Sequence, residues 1–150
     1  MSDVSIRLAG PDDAGLVASL LGEFRDFFGY SGPPDSTFAA TVPQLLADPR
    51  TEFVLGGTDG VAQLRYRLSA WTGVEDCWLE DLFVRDAARG SGLGRALVSA
   101  CFERARERGC RRIELDVNEV NTRAIGLYVS CGFSLEPKGP GRTFFLSRKL

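Results

Sequence analysis

The sequence predicts a single α+β domain over residues 1–150, built on a central mixed, mostly antiparallel sheet of six to seven strands with about four flanking helices. Three observations carry that expectation. Glu52–Leu55 and Val61–Leu68 are apolar runs joined across Gly56-Gly57-Thr58-Asp59-Gly60, the turn composition of an antiparallel hairpin. Leu82–Ala100, LFVRDAARGSGLGRALVSA, reads as a strand end, a glycine-rich turn and a helix. No repeat, low-complexity tract or linker divides the 150 residues, and that length is enough for one substantial core.

Taken in order, Val4 to Leu8 alternates apolar and polar side chains and reads as a first strand. Pro11-Asp12-Asp13 is a helix start, with acids where the helix dipole favours them. Leu16, Val17, Leu20, Leu21 and Phe24 form the apolar stripe of that helix. The stretch from Glu23 to Pro34 combines aromatics, two acids and a Gly/Pro-rich end, as a helix end and loop would. Ser36 to Leu46 reads as a second helix capped by Ser36 or Thr37, and Asp48-Pro49 ends it. Past the hairpin, Ala70-Trp71-Thr72-Gly73 is a turn and Cys77 to Val84 the central strand.

The helix after the glycine turn shows its period in Leu93, Leu97, Cys101 and Ala105. Ile113, Leu115 and Val117 alternate with Glu114, Asp116 and Asn118 as a strand. Asn121 to Ser130 is a short helix capped by Asn121, and Gly132 stands where a helix end takes a left-handed residue. Gly139-Pro140-Gly141 turns into a last strand, Thr143 to Leu146.

Composition removes several functions. Hydrophobic residues make up 44% and charged residues 25%, which is ordinary for a globular chain. A net charge of −2 argues against a nucleic-acid partner, whose binding surface would be basic. No run reaches the ~18 apolar residues of a membrane span, and the start MSDVSIRLAG has no signal-peptide core, so no membrane association is expected. Four scattered cysteines (Cys77, Cys101, Cys110, Cys131), without a CxxC pair or a single histidine, argue against a metal site. Reduced, mostly buried thiols in a cytoplasmic protein are expected instead.

The glycine turn carries the first chemical signal. Glycines at a helix entrance let backbone approach a ligand, and the free N–H groups with the positive dipole end favour a phosphate. Arg89 and Arg95 add mobile positive charge, so the turn reads as a pyrophosphate cradle. It is not a Walker loop, because Gly94 is followed by Arg95 and Ala96 rather than Lys-Ser/Thr. Nor is it the dinucleotide fingerprint, since Gly90, Gly92 and Gly94 lie two apart and past the chain's midpoint. A bare helix-starting turn is the alternative from the glycines alone.

Arg89-x-x-Gly92-x-Gly94 on a strand–turn–helix resembles the acyl-CoA-binding signature of the Gcn5-related N-acetyltransferases. Asn121-Thr-Arg-Ala124-Ile-Gly-Leu-Tyr128-Val-Ser-Cys-Gly132-Phe133 resembles the same family's second motif. The resemblance runs from Glu52 to Leu150, and the N-terminal third matches in layout only. It implies a splayed central sheet and acetyl-CoA as cofactor. The backbone of Leu82, Phe83 and Val84 would pair with the pantetheine arm. The pyrophosphate would fall to Arg89, Gly90, Ser91, Gly92, Leu93, Gly94 and Arg95, with Asn121, Arg123, Ala124 and Tyr128 flanking the arm. One departure is Asp86, where many members carry proline; a turn accepts aspartate well.

Acetyl transfer from a thioester to an amine needs the donor held facing the acceptor, a proton taken from the ammonium and one given to the sulfur. Without histidine these roles fall to carboxylates, tyrosine, cysteine or water. The resemblance makes Tyr128 the general acid; a core tyrosine is the alternative on position alone. Leu79-Glu80-Asp81-Leu82 sets two acids side by side, which alternation sends to opposite faces. A similar triplet in the polyamine (spermidine/spermine-type) branch points to Glu80 as the group meeting the amine. A charged pair with Arg65 or Arg67 is the other reading. Cys131 has no histidine to activate it and takes no role.

Ala62–Tyr66, Ala70–Gly73 and the triplet resemble the polyamine and thialysine acetyltransferases. The expected substrate is therefore a small-molecule primary amine, polyamine- or amino-acid-like. Glu23, Asp26, Phe27, Tyr30, Glu80, Glu114 and Asp116 are the candidate acceptor residues. An aminoglycoside or a protein amine is the second enzyme reading, and an acyl-CoA-binding module without turnover the reading from another class. Phe144 and Phe145 would serve either a homodimer, common in the family, or core packing.

Overall fold

A computed structural model describes residues 4–150, which form two compact units, one ending at Val117 and one running Asn118–Leu150. The first holds a five-stranded sheet of β1 (Ile6–Leu8), β2 (Thr51–Gly56), β3 (Gly60–Leu68), β4 (Glu75–Val84) and β5 (Ile113–Glu114), in that spatial order. The first four are antiparallel neighbours and β5 joins β4 in parallel. The expected α+β class and mixed sheet hold, with five strands rather than six or seven. The strand expected at Thr143–Leu146 does not form, and Phe144 and Phe145 are 72% and 86% exposed. Those two rings are therefore not core residues. A strand needs a partnering edge, and the Gly139-Pro140-Gly141 turn supplies none within its own unit.

Helices α1 (Ala14–Phe27) and α2 (Asp35–Ala47) cover one face of the sheet. A 3-10 turn, Pro11–Asp13, leads into α1, and Arg7 grips Asp13 through two 2.7 Å hydrogen bonds. That grip pushes the Asp13 carboxyl well below the usual range and pins the helix start to β1. Helix α2 begins one residue before the expected cap and has no side-chain cap. The Thr37 N–H donates to the Pro34 carbonyl, so the extended Pro34 ends the preceding loop. Val17, Leu20 and Leu21 of α1, with Val42 of α2, bury themselves on Phe53, Leu55, Val61 and Phe83. Each such side chain contributes about 1.5–3 kcal/mol by leaving water.

Helix α3 (Leu93–Glu107) covers the opposite face and connects β4 to β5, burying Leu93, Leu97, Val98, Cys101 and Ala105. The hairpin glycines set how close it comes. A Cβ on Gly56 would lie 2.5 Å from Leu93 Cδ1, and one on Gly60 would lie 2.8 Å from Leu97 Cδ1. Arg104 reaches across to Glu52 at 2.6 Å, and the Tyr66 hydroxyl donates to the same carboxylate. Of the cysteines, Cys77 and Cys101 are buried, Cys110 and Cys131 half-buried, and none is in a disulfide. Burial pushes the Cys77 thiol up to about 12.

The second unit contains α4 (Thr122–Ser130); residues 131–150 form neither helix nor strand. Among the described residues no helix is long and apolar enough to cross a membrane.

Candidate active site

Strand β4 is paired on both edges only at its start. Cys77 and Trp78 meet Ile113 and Glu114, and beyond them β5 ends while β4 continues to Val84. The sheet thus opens along Leu79–Val84 and leaves Leu82, Phe83 and Val84 on an edge with no neighbouring strand in this unit. The alternation from Ile113 to Asn118 predicted a longer β5. Only two residues pair, because parallel pairing stops where the strands part.

The two acids of the triplet lie on this segment. Gln63 pairs with Asp81 but Leu64 pairs with Leu79, so Glu80 is the extra residue of a β-bulge. Strict alternation, the basis for sending the two acids to opposite faces, is interrupted there. Glu80 is exposed and Asp81 half-buried. Beyond the bulge alternation resumes, which puts Asp81 on the face of Phe83, toward α1 and α2. Burial, then the charges of Glu80 and Asp116, push the Asp81 carboxyl up to about 6. Neither acid pairs with Arg65, Arg67 or any other cation among the described residues. Glu80, which the resemblance assigns to the amine, is thus the exposed member of the pair, and a bulge leaves no mark in a single strand's sequence.

Aromatic rings line the same face. Phe24 stacks on Phe83 at 5.2 Å and Phe27 meets Phe83 at 6.4 Å. Phe28 packs on Phe24 at 4.8 Å, and Tyr30 stacks on Phe28 at 5.6 Å. The two acids proposed for this wall are already partnered. Glu23 accepts from Arg85 at 2.8 Å, and Asp26 from Arg25 at 3.0 Å. Asp116 is exposed and near enough to Asp81 to raise its pKa.

At the end of β4, Asp86–Ala88 forms a 3-10 turn, so aspartate sits well at its start. Gly90 and Gly92 follow with φ of 76° and 89°, values that L side chains rarely adopt, and a Cβ at either would meet nothing within 4 Å. Conformation, not crowding, therefore requires glycine, and the space above the turn is open. Gly92 caps α3, whose first intrahelical bond runs from the Ala96 N–H to the Gly92 carbonyl at 3.0 Å. The N–H groups of Leu93, Gly94 and Arg95 precede that bond at the positive end of the dipole. Such a turn fits a pyrophosphate. Ser91 and Arg95 are exposed beside it, whereas the Leu93 side chain is buried and only its backbone faces the turn.

Arg89 behaves otherwise than expected. Its guanidinium lies 4.0 Å above the Phe27 ring, Nε donates to the Val84 carbonyl at 3.1 Å, and Asp86 is 3.5 Å away. It is a fixed brace between α1 and β4 rather than a mobile charge at the turn.

In the second unit Asn121 caps α4, accepting from the Ala124 N–H at 3.3 Å. Arg123 is exposed in the first turn and Ala124 half-buried. The helix closes on Gly132 at φ 101°, with Gly132 N–H donating to the Val129 carbonyl and Phe133 N–H to the Tyr128 carbonyl, both at 3.0 Å. This closure folds Phe133 edge-on to the Tyr128 ring at 5.7 Å, and the half-buried Tyr128 is held by it.

Residues 18–133 match the acetyltransferase (GNAT) family. The thialysine N-epsilon-acetyltransferase of Mus musculus is 36% identical over 153 residues, covering 88% of this chain and 85% of the relative. An aminoglycoside N(6')-acetyltransferase type 1 of Stenotrophomonas maltophilia is 33% identical, covering 86% and 85%. A crystal structure from Arthrobacter sp. FB24 superposes with a TM-score of 0.87 at 32% identity, covering 100% of this chain and 99% of the other.

Proposed function

We propose that this chain, a member of the acetyltransferase (GNAT) family, moves an acetyl group from acetyl-CoA directly to the primary amine of a small molecule. The observation that carries this reading is the opened edge of β4, with the glycine turn at its end and an unpartnered, half-buried Asp81 on its face. The small-molecule acceptor, polyamine- or amino-acid-like in the sequence reading, is supported by relatives named for thialysine and aminoglycoside acetylation.

Acetyl-CoA supplies the activated thioester. The β4 edge at Leu82, Phe83 and Val84 holds the arm, and the turn from Gly90 to Arg95 holds the pyrophosphate through backbone N–H groups and the exposed Arg95. Asn121, Arg123 and Ala124 flank the arm. As the amine nitrogen bonds to the carbonyl carbon, the carbon–sulfur bond breaks; the ammonium gives up two protons, one goes to the sulfur and one to water. Asp81 takes the first proton, and exposed Glu80 beside it passes that proton to solvent. Tyr128 gives the leaving sulfur its proton as general acid and regains one from the nitrogen.

The test is thiol release from acetyl-CoA across a panel of primary amines, with Asp81→Asn, Glu80→Gln and Tyr128→Phe beside the wild type. Turnover on at least one amine, cut at least tenfold by Asp81→Asn and Tyr128→Phe and less by Glu80→Gln, is expected. Tight CoA binding with no amine acetylated would instead leave a binding module.

A further inference from the structure

On β3, Val61, Gln63 and Arg65 alternate onto the face that packs on α1 and α2. Tyr66 points the other way, its hydroxyl on the Glu52 carboxylate that Arg104 of α3 holds. Register sets the neighbours. Gln63 pairs with Asp81 and Arg65 with Trp78, so an amide, a carboxyl and a guanidinium share one face on adjoining rows. Direct cross-strand partners such as Gln63 and Asp81 have Cβ atoms about 4.5–5.5 Å apart, and a diagonal neighbour such as Arg65 lies at about 7–8 Å. Gln63 is 4% exposed and its amide makes no hydrogen bond, yet no buried polar side-chain atom is left unsatisfied among the described residues. The little surface that Gln63 keeps is therefore at its amide, which floors an opening in this face. Arg65 is half-buried and also has no partner among the described residues. Arg112 takes both Asp76 and Glu114, and Arg67 lies over the Trp78 ring at 5.5 Å. Asp81 and Arg65 thus stand on one face as opposite charges that do not pair with each other.

We infer that the acceptor is an α-amino acid, its ammonium held at Asp81, its carboxylate at Arg65, and Gln63 bridging the two. The inference rests on the acetyl-transfer reading above and names the substrate class of that site. An amide accepts from an ammonium through its oxygen and donates to a carboxylate through its nitrogen. A guanidinium offers a carboxylate two parallel N–H groups. Charge-assisted hydrogen bonds at both ends, each about 2.8 Å, take up most of the span between the two side chains. What remains suits an ammonium and a carboxylate carried on one carbon. A polyamine would instead set its second ammonium against the Arg65 guanidinium, and like charges so placed oppose binding.

The experiment sets the common L-amino acids against the amines left when the carboxyl group of each is removed. Acetylation kinetics and calorimetric titration into the protein with CoA are both run, on wild type, Arg65→Gln and Arg65→Lys. We expect at least one amino acid to exceed its own amine tenfold in kcat/KM. Arg65→Gln should lower that ratio at least fivefold, through the KM of the amino acid, and Arg65→Lys should restore part of it. The acetyl-CoA KM should stay within twofold in both variants. Amines that match or outrun their amino acids throughout would overturn the inference. So would a ratio that Arg65→Gln leaves unchanged, or variants that raise the acetyl-CoA KM instead. If no member of either set turns over, the titration decides. Amino-acid binding weakened at least fivefold by Arg65→Gln upholds the site and removes only the acetyl-transfer reading. Absence of such binding overturns the inference.

Discussion

Asp81 is costly to the fold at the place where the proposed chemistry needs a carboxylate. An unfolded aspartate titrates near ~3.9, whereas burial first and neighbouring charge second hold this one at about 6. Between those values the folded chain keeps a proton that the unfolded chain has lost. Stability therefore falls as pH rises from about 4 to about 6 and stays lower above. Asp81→Asn should be more stable than wild type at pH 8, by on the order of 1–2 kcal/mol after solvent screening. The two proteins should converge near pH 4. Urea unfolding at both pH values checks this, and equal stability at pH 8 would mean that the carboxylate carries no penalty. Tyr128→Phe belongs to the same scale. It should lower kcat at least tenfold, about 1.4 kcal/mol, and leave CoA affinity unchanged by titration.

At the scale of elements, the turn into α3 and the hairpin use glycine for different reasons, and the difference is testable. Gly92 needs glycine for its left-handed backbone, with open space around it. Gly92→Ala should cost about 1–2 kcal/mol of strain and raise the acetyl-CoA KM severalfold by turning the N–H groups away. Gly60 needs glycine for room, because Leu97 and Leu93 of α3 lie where a side chain would go. Gly60→Val should destabilise the fold by about 1–3 kcal/mol, lowering the denaturant midpoint while the acetyl-CoA KM of the folded fraction holds. If the two variants gave the same pattern, the distinction would be lost. Helix starts, glycine turns and the α4 closure were legible because each rests on residues near in sequence. The bulge at Glu80 was not, because it is a mismatch between β4 and its partner β3.

For the molecule as a whole, the cofactor should act as a stabilising ligand. Anything that binds only the folded chain stabilises it by mass action, about 2.7 kcal/mol at a hundredfold excess over Kd. For a chain of 150 residues that corresponds to a rise of about 5–10 °C in Tm. CoA at saturating concentration should produce such a shift, and Gly92→Ala should shrink it. A Tm indifferent to CoA would count against the proposed cradle.

Most of this protein was written locally. The α+β class, the hairpin, the strand–turn–helix at Leu82–Ala100 and the Asn121–Phe133 motif all follow from spacing within short windows, where periodicity and backbone preference act directly. The family follows from the last two. Tertiary structure decided what depends on residues far apart in the chain. Pairing ended β5 after Glu114 and opened the β4 edge. A register shift against Gln63 and Leu64 left Glu80 exposed and set Asp81 on the Phe83 face. Arginines from distant or neighbouring positions claimed Glu23 and Asp26, and Phe27 and Val84 drew Arg89 away from the turn. A side chain's charge is legible in sequence; whether that charge is already spent depends on which partners folding brings within about 3–4 Å.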